Sequence, residues 1–199
     1  SCMMHLTSLV LTKQVHKVLQ ELAKLNLAAR GLYGEGTQAT GNFFQISNQI
    51  TLGQPEDEII DNLDRVIKQV IDHHAPQIAA NTALADLEVS PGKYFLVTLH
   101  RAENVDGEAR LRRLVDALAG LHERYGYPVI TSLHPRTKAR IEEFGVKADR
   151  KGLRWLEPLG FFDFVRLEQE AFCVLTDSGT VQEETCLFGV PNVTIRDVT

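Results

Sequence analysis

The chain has 199 residues, of which 44% are hydrophobic and 24% charged, with a net charge of −5. Such a composition is ordinary for a globular protein and excludes collagen-like and disordered classes. No run approaches the roughly 18 apolar residues of a membrane span, and the acidic balance argues against nucleic acid as the main partner.

The opening Ser1-Cys2-Met3-Met4-His5 lacks a signal-peptide pattern and an initiator Met, so the chain is expected to begin inside a longer sequence. Cys2, Cys173 and Cys186 make an odd count without C-x-x-C spacing. They read as reduced thiols of a cytoplasmic protein, not as a disulfide framework or a zinc site. Cys173 and Cys186 are expected in the core as small hydrophobes.

Residues 1–74 open with an apolar run, Met3 to Leu11. A helix comes next, with Val15, Val18, Leu19, Leu22 and Leu25 at helical spacing. A glycine-rich stretch (Gly31, Gly34, Gly36) leads to a strand-like run, Asn42 to Ile46. Glu56-Asp57-Glu58 then begins a second helix, its acids suiting the positive end of the dipole. The order β-α-β-β-α predicts a small two-layer unit. Pro76 is expected to end the second helix or to mark the link beyond it. Residues 77–90 are alanine-rich and partly helical in pattern.

From Tyr94 the rhythm changes. Phe95–Leu99, Pro128–Leu133, Leu153–Leu156, Phe172–Thr176 and Asn192–Ile195 read as five strands. Between them lie helical patterns: Leu111, Leu114, Val115, Leu118 and Leu121 on one face, then 137–144, Phe161–Glu170 and 180–188. Apolar strands alternating with helices predict a doubly wound, Rossmann-like α/β domain with a parallel sheet covered on both faces. Such domains bind ligands beyond the carboxyl ends of their strands.

Polar residues stand just beyond the strand ends. His100-Arg101-Ala102-Glu103-Asn104, His134-Pro135-Arg136, Asp177-Ser178-Gly179-Thr180 and Arg196-Asp197 should collect at one sheet edge. Ser178-Gly179-Thr180 at a helix start offers either an ordinary N-cap or an anion site built from N–H groups, hydroxyls and the helix dipole. Glu184, one turn on, could accept hydrogen bonds from ribose hydroxyls. His100 and His134, each close to an arginine, could hold a phosphate or act in acid–base chemistry, or be merely solvated. In the first half, Arg30 and Glu35 flank a glycine-rich loop that is either a plain connection or a phosphate-contacting element. His73-His74 are adjacent on a helix and do not face one site, so no metal is assigned, and no cofactor is expected.

Residues from about 75 to 199 resemble the C-terminal half of the non-hydrolysing UDP-N-acetylglucosamine 2-epimerases. The resemblance rests on YFLVTLHRAENVD, HPRT, LEPLGFFDFV and LTDSGTVQEE…FGVPNVTIRDVT, in order and at matching spacing. It implies a domain of the GT-B C-terminal type that binds UDP or UDP-N-acetylglucosamine. By it, Ser178 and Gly179 would bind the diphosphate, Glu184 the ribose, and Phe164 would lie against the uracil. His100 would meet the sugar diphosphate and assist proton transfer, with Arg101 and His134 beside it. Many members carry a second glycine where Thr180 stands here. The family reaction eliminates UDP and re-adds it to invert C2, using carboxylates of an N-terminal domain that residues 1–74 do not resemble. Binding is therefore expected more firmly than turnover, and the domain is expected to be incomplete at its C-terminus.

Residues 1 to about 72 resemble a catalytic-domain segment of the bacterial protein-arginine kinases, relatives of the phosphagen kinases. RGLYGEG…GNFFQISNQ…LG carries this second resemblance. It implies ATP as the alternative ligand, with Arg30 on its phosphates, His5 beside the adenine and Glu35 in the specificity loop. The two likenesses meet near 70–76, so the chain reads as a composite: a kinase-like piece at 1–74 and an epimerase-like piece at 75–199. An engineered chimera without catalysis is the third reading. Interrupted folds would leave exposed faces that favour homo-oligomers.

Overall fold

The computed structural model describes residues 56–196, with side chains from Ile67 onward. The expected β-α-β-β part of residues 1–55, including His5, Arg30 and Glu35, lies outside the described residues. So does Asp197.

Helix α1 spans Glu56–Ala79 and runs through Pro76, which corrects the expected stop there. A proline removes one N–H from the helix ladder and crowds the preceding turn. Here the helix needs only one more turn, closed by Ala80 N–H on the Pro76 carbonyl at 3.0 Å. Ile78 and His74 are buried on either side of the proline, and their burial carries the helix past the local penalty. His74 packs edge-on against Phe161 and Phe162, at 6.0 and 5.2 Å between ring centroids. Burial lowers its pKa, as expected for an imidazole among rings.

A short helix α2, Ala83–Asp86, precedes the sheet. Strand β1 is Phe95–Leu99. A short helix α3, Ala102–Val105, and a long helix α4, Glu108–Tyr125, lead to β2, Val129–Leu133. Helix α5, Pro135–Glu143, precedes β3, Leu153–Leu156. Helix α6, Phe161–Gln169, precedes β4, Cys173–Thr176. Helix α7, Gly179–Phe188, leads to β5, Asn192–Thr194. Every strand pair is parallel, in the order β3-β2-β1-β4-β5. This is the expected doubly wound arrangement, with β1 at the centre and the chain reversing direction of growth between β1 and β4.

The two-residue period of β1 divides its side chains between two cores. Phe95, Val97 and Leu99 face one layer with Leu111, Val115 and Leu118 of α4. Leu96, preceded by Tyr94, faces the other with Leu167 of α6 and Val181 of α7. Leu96 sits in register with Ile130 on one side and Val174 on the other, so the second core is continuous across three strands. The Tyr94 hydroxyl donates to the Leu167 carbonyl and so pins β1 to α6. Burial raises its pKa above the usual tyrosine value.

Gly152 shows how closely β3 approaches α4. Its φ is +81°, and an added Cβ would sit 2.0 Å from the His122 ring. Only glycine satisfies both demands. Cys173 is half-buried, but Cys186 is exposed, which corrects its expected place in the core. The α7 face that turns inward carries Val181 and Thr185, and Cys186 lies next to them around the helix.

Candidate site at the carboxyl edge of the sheet

Asp177 is the centre of the strand-end cluster, a role that its place in the sequence does not signal. It comes directly after β4 and is completely buried. Because β4 pairs with β1, Asp177 meets the loop after β1, 77 residues away in the chain. One carboxylate oxygen accepts from the backbone N–H of Arg101 at 2.8 Å, of His100 at 3.0 Å, and from the Asn104 amide at 3.0 Å. The other faces His100 Nδ1 at 2.9 Å. Burial alone would raise this carboxyl's pKa. The hydrogen bond and charge of His100, with the Asn104 and Arg101 donors, outweigh burial and hold it at about 2.

This arrangement fixes the histidine. A carboxylate can only accept, so Nδ1 of His100 carries the proton toward Asp177, and Nε2 becomes the nitrogen that can meet a ligand or move a proton. The His134 ring lies 5.7 Å from the His100 ring, centroid to centroid. His134 also caps α5, its Nδ1 accepting from Arg136 N–H at 3.2 Å. Arg136 and Arg140 in turn converge on Asp106, which their hydrogen bonds keep well ionised.

Two guanidinium groups crowd the Asp177 carbonyl: Arg101 Nε at 2.5 Å and Arg196 Nε at 3.2 Å. Burial, then the like charge of Arg101, lowers the Arg196 pKa. Nη2 of Arg196 is 3.2 Å from where a Cβ on Gly179 would stand, so the glycine admits the guanidinium beneath the start of α7. Asn104 is equally buried and ties three loops together. Its amide donates to Asp177 and to the Ile195 carbonyl at 2.8 Å, and its oxygen accepts from Arg110 at 2.9 Å.

Ser178 occupies the N-cap position of α7, yet its side chain makes no capping bond. Its backbone N–H is already taken by Thr176 Oγ1 at 3.0 Å. The expected set of N–H groups is therefore smaller by one, and what the turn presents is the first turn of the helix beyond Ser178. N–H groups there have no intrahelical acceptor, and the dipole adds to the positive field of Arg101 and Arg196.

The structure thus brings together His100, Arg101, His134, Ser178 and Gly179 around Asp177. Phe164 on α6 and Glu184 on α7 are not among these contacts. Phe164 is partly buried against the core that contains Val181. Glu184 on α7 stands close enough for its charge to act on Glu168 of α6, a completely buried residue absent from the sequence-based candidates. The signal was present: Glu168 stands three and four residues after Val165 and Phe164, on the inward stripe of α6. Among the described residues no group of His, Cys, Asp and Glu is arranged to hold a metal ion, and no helix is long and apolar enough to cross a membrane.

The chain's similarities to other proteins fall into two groups. The family model described as UDP-N-acetylglucosamine 2-epimerase matches residues 14–199. A UDP-N-acetylglucosamine 2-epimerase of Methanocaldococcus jannaschii is 47% identical over 110 residues, 53% of this chain and 30% of that protein. The crystal structure of the M. jannaschii UDP-GlcNAc 2-epimerase in complex with UDP-GlcNAc and UDP matches with a TM-score of 0.59 and 34% identity. The match covers 72% of this chain and 44% of that one. A protein-arginine kinase of Desulforamulus reducens is 62% identical over 71 residues, 36% of this chain and 20% of that protein. The kinase likeness falls on a different segment from the epimerase likeness, as expected of a composite. The chain spans about a third or less of the curated relatives it matches.

Proposed function

The chain belongs to the UDP-N-acetylglucosamine 2-epimerase family, and from that premise we propose that the carboxyl edge of its sheet binds the diphosphate and ribose of a UDP-sugar. The observation that carries this reading is the pair of guanidinium groups, Arg101 and Arg196, converging at the start of α7 beside an Asp-oriented histidine. Both guanidinium groups bond the Asp177 backbone carbonyl, a neutral acceptor, and a diphosphate is the anion that would balance two such charges. Ser178 and Gly179 meet the phosphates, Glu184 accepts the ribose hydroxyls, Phe164 flanks the base, and His134 lines the sugar side. His100 Nε2 is the group placed to hold or move a proton at the leaving phosphate. We assign binding to residues 75–199 and leave the acid–base carboxylates of the C2 inversion outside this segment.

A second reading has its own support in the 62% identity to a protein-arginine kinase. Residues 1–74 then form a kinase-like segment with ATP as ligand, and the whole is a cytoplasmic chimera of two family pieces. Thermal unfolding with UDP, UDP-N-acetylglucosamine and ATP separates the two. At about 100 times the dissociation constant, a ligand stabilises the chain by ~2.7 kcal/mol. A rise with the uridine ligands that Glu184→Ala abolishes supports the first reading. A rise with ATP alone overturns it in favour of the second, and no response to any ligand overturns both.

A further inference from the structure

Side chains on one face of a strand recur every second residue. On the face that carries α6 and α7, the aliphatic row Ile130, Leu96 and Val174 is therefore followed by Ser132, Thr98 and Thr176, with Thr194 beside them on β5. The face passes from aliphatic to hydroxyl in one step, at the carboxyl ends of the strands. Every hydroxyl in that row has a partner. Ser132 Oγ accepts from the Leu159 N–H at 3.3 Å, just before α6. Thr98 Oγ1 and Thr176 Oγ1 stand 2.7 Å apart. Thr176 Oγ1 also accepts from the Ser178 N–H at 3.0 Å, just before α7. Thr194 Oγ1 accepts from the side-chain amide of Gln182 in α7. Thr131, on the opposite face of β2, is buried like Thr176, yet its hydroxyl has no partner among the described residues. Bonding to the turns above is thus a property of this row and not of every buried threonine in the sheet.

One peptide group joins the row to the candidate site. A peptide is planar, and its carbonyl and N–H point in opposite directions. The carbonyl of the Asp177–Ser178 peptide receives Arg101 Nε at 2.5 Å and Arg196 Nε at 3.2 Å. Its N–H goes to Thr176 Oγ1. The N–H of Asp177 itself donates to the Thr98 carbonyl at 3.3 Å. Either threonine hydroxyl can donate to the other. In both cases Thr176 Oγ1 keeps a lone pair for Ser178, and Thr98 fixes the direction in which that hydroxyl points.

We propose that Thr176, held by Thr98, is a positioning residue for the diphosphate: its hydroxyl locks the Asp177–Ser178 peptide with the carbonyl toward both guanidinium groups, and so holds Arg101 and Arg196 at the start of α7. This rests on the reading of that turn as the diphosphate site. Were the peptide to turn over, the Ser178 N–H would face two groups that can only donate, and the guanidinium groups would lose their shared acceptor. The lock removes one neutral N–H from the site and fixes two cations there. Bonds from a cation to phosphate are about twice as strong as neutral ones, so the exchange favours the anion. None of these bonds includes Phe164 or Glu184, the residues assigned to the base and the ribose. The lock should therefore act on the phosphates alone.

The test measures binding of UDP and of uridine, which lacks the phosphates, to the full chain by ligand-observed NMR. The proteins are the wild type, Thr176→Val, Thr176→Ser and Thr98→Val. Valine keeps the shape of threonine and removes the hydroxyl. Thr176→Val should weaken UDP about tenfold and leave uridine within about twofold. Thr176→Ser, which keeps the hydroxyl, should bring UDP back to within about threefold of the wild type. Thr98→Val leaves the bond to Ser178 and removes its support, so UDP should weaken about threefold. A role in the fold alone would move uridine together with UDP. Unchanged UDP affinity in Thr176→Val overturns the proposal, and so does an equal loss of UDP and uridine. A serine variant as weak as the valine variant overturns it too, since the hydroxyl would then not be the group that acts. If the wild type binds UDP no more tightly than uridine, the diphosphate reading itself falls and takes the proposal with it. Should Thr176→Val not fold, Thr98→Val decides: a UDP-to-uridine affinity ratio equal to that of the wild type would overturn the proposal.

Discussion

Two carboxyl groups among the described residues are completely buried, Asp177 at the ends of β4 and β1 and Glu168 between α6 and α7. Burial penalises the charge of both, and yet they end in opposite states. Asp177 is surrounded by the N–H groups of a loop, an amide and an imidazole, and stays ionised down to about pH 2. Glu168 has no such donors among the described residues, feels the charge of Glu184, and stays protonated far above the usual range. The difference teaches that depth decides the size of the penalty, while the neighbours decide who bears it. A strand end brings backbone donors to a buried acid. A helix interior has already committed its backbone donors within the helix, so an acid there must find a side chain or keep its proton.

The most severe way to break the contrast is Asp177→Ala. It would leave the His100 and Arg101 N–H groups and the Asn104 amide buried without their acceptor, beside two guanidinium groups. A loss of about 3–5 kcal/mol in urea unfolding is expected, with loss of UDP binding. Stability close to wild type would mean that the loop after β1 does not depend on this carboxylate.

Acid titration of the wild type is the next largest effect. Held at about 2 against an unfolded value of ~3.9, Asp177 contributes about 2.5 kcal/mol that is present above pH ~4 and lost as the pH falls toward 2. Equilibrium unfolding at acid pH measures it, and a flat profile between ~4 and 2 would contradict the assignment. Glu168 has the opposite sign. Its folded pKa lies above the unfolded one, so its contribution is complete below pH ~4.3 and is lost as the pH rises, at up to ~1.4 kcal/mol per pH unit. Replacing it with glutamine should flatten that decline through neutrality, read from urea unfolding near pH 5.5 and 8.5. An unchanged slope would place the proton elsewhere.

The smallest effect marks the surface limit. Asp106 joins Arg136 and Arg140 at the surface, where the three side chains are each partly exposed. Asp106→Asn should move Tm by no more than about 2 °C, because exposed ion pairs contribute little. A larger shift would show that this cluster supports the His134 loop.

Much of the fold was legible in the chain itself, for a reason that particular segments display. Phe95–Leu99 and Leu153–Leu156 are strands at the bounds their apolar runs predict. A parallel strand covered by helices must be apolar throughout, and that signal is local. The stripe of Leu111, Val115 and Leu118 marked the inward face of α4 in the same way. The end of helix α1 escaped because Pro76 is a local stop that the burial of Ile78 outweighs. Four-residue α3 carries too few residues to show a period. Of the candidate site, the strand-end residues were visible as a set, since each stands just past its strand. The donor already satisfied at Ser178, and the nearness of Glu168 to Glu184, were not visible, because both depend on which groups stand opposite.

The sequence by itself determined the alternation of strands and helices from Tyr94 onward, the two likenesses that divide the chain, and the polar groups beyond the strand ends. Only the tertiary structure decided that β4 lies against β1, so that Asp177 closes on His100, Arg101 and Asn104. It also decided that the packing of α6 on α7 buries one glutamate within reach of a second one's charge. Periodicity and turn chemistry act between neighbours in the chain, whereas strand order and helix rotation are settled by contacts between residues far apart in it. A buried acid's charge is settled there too.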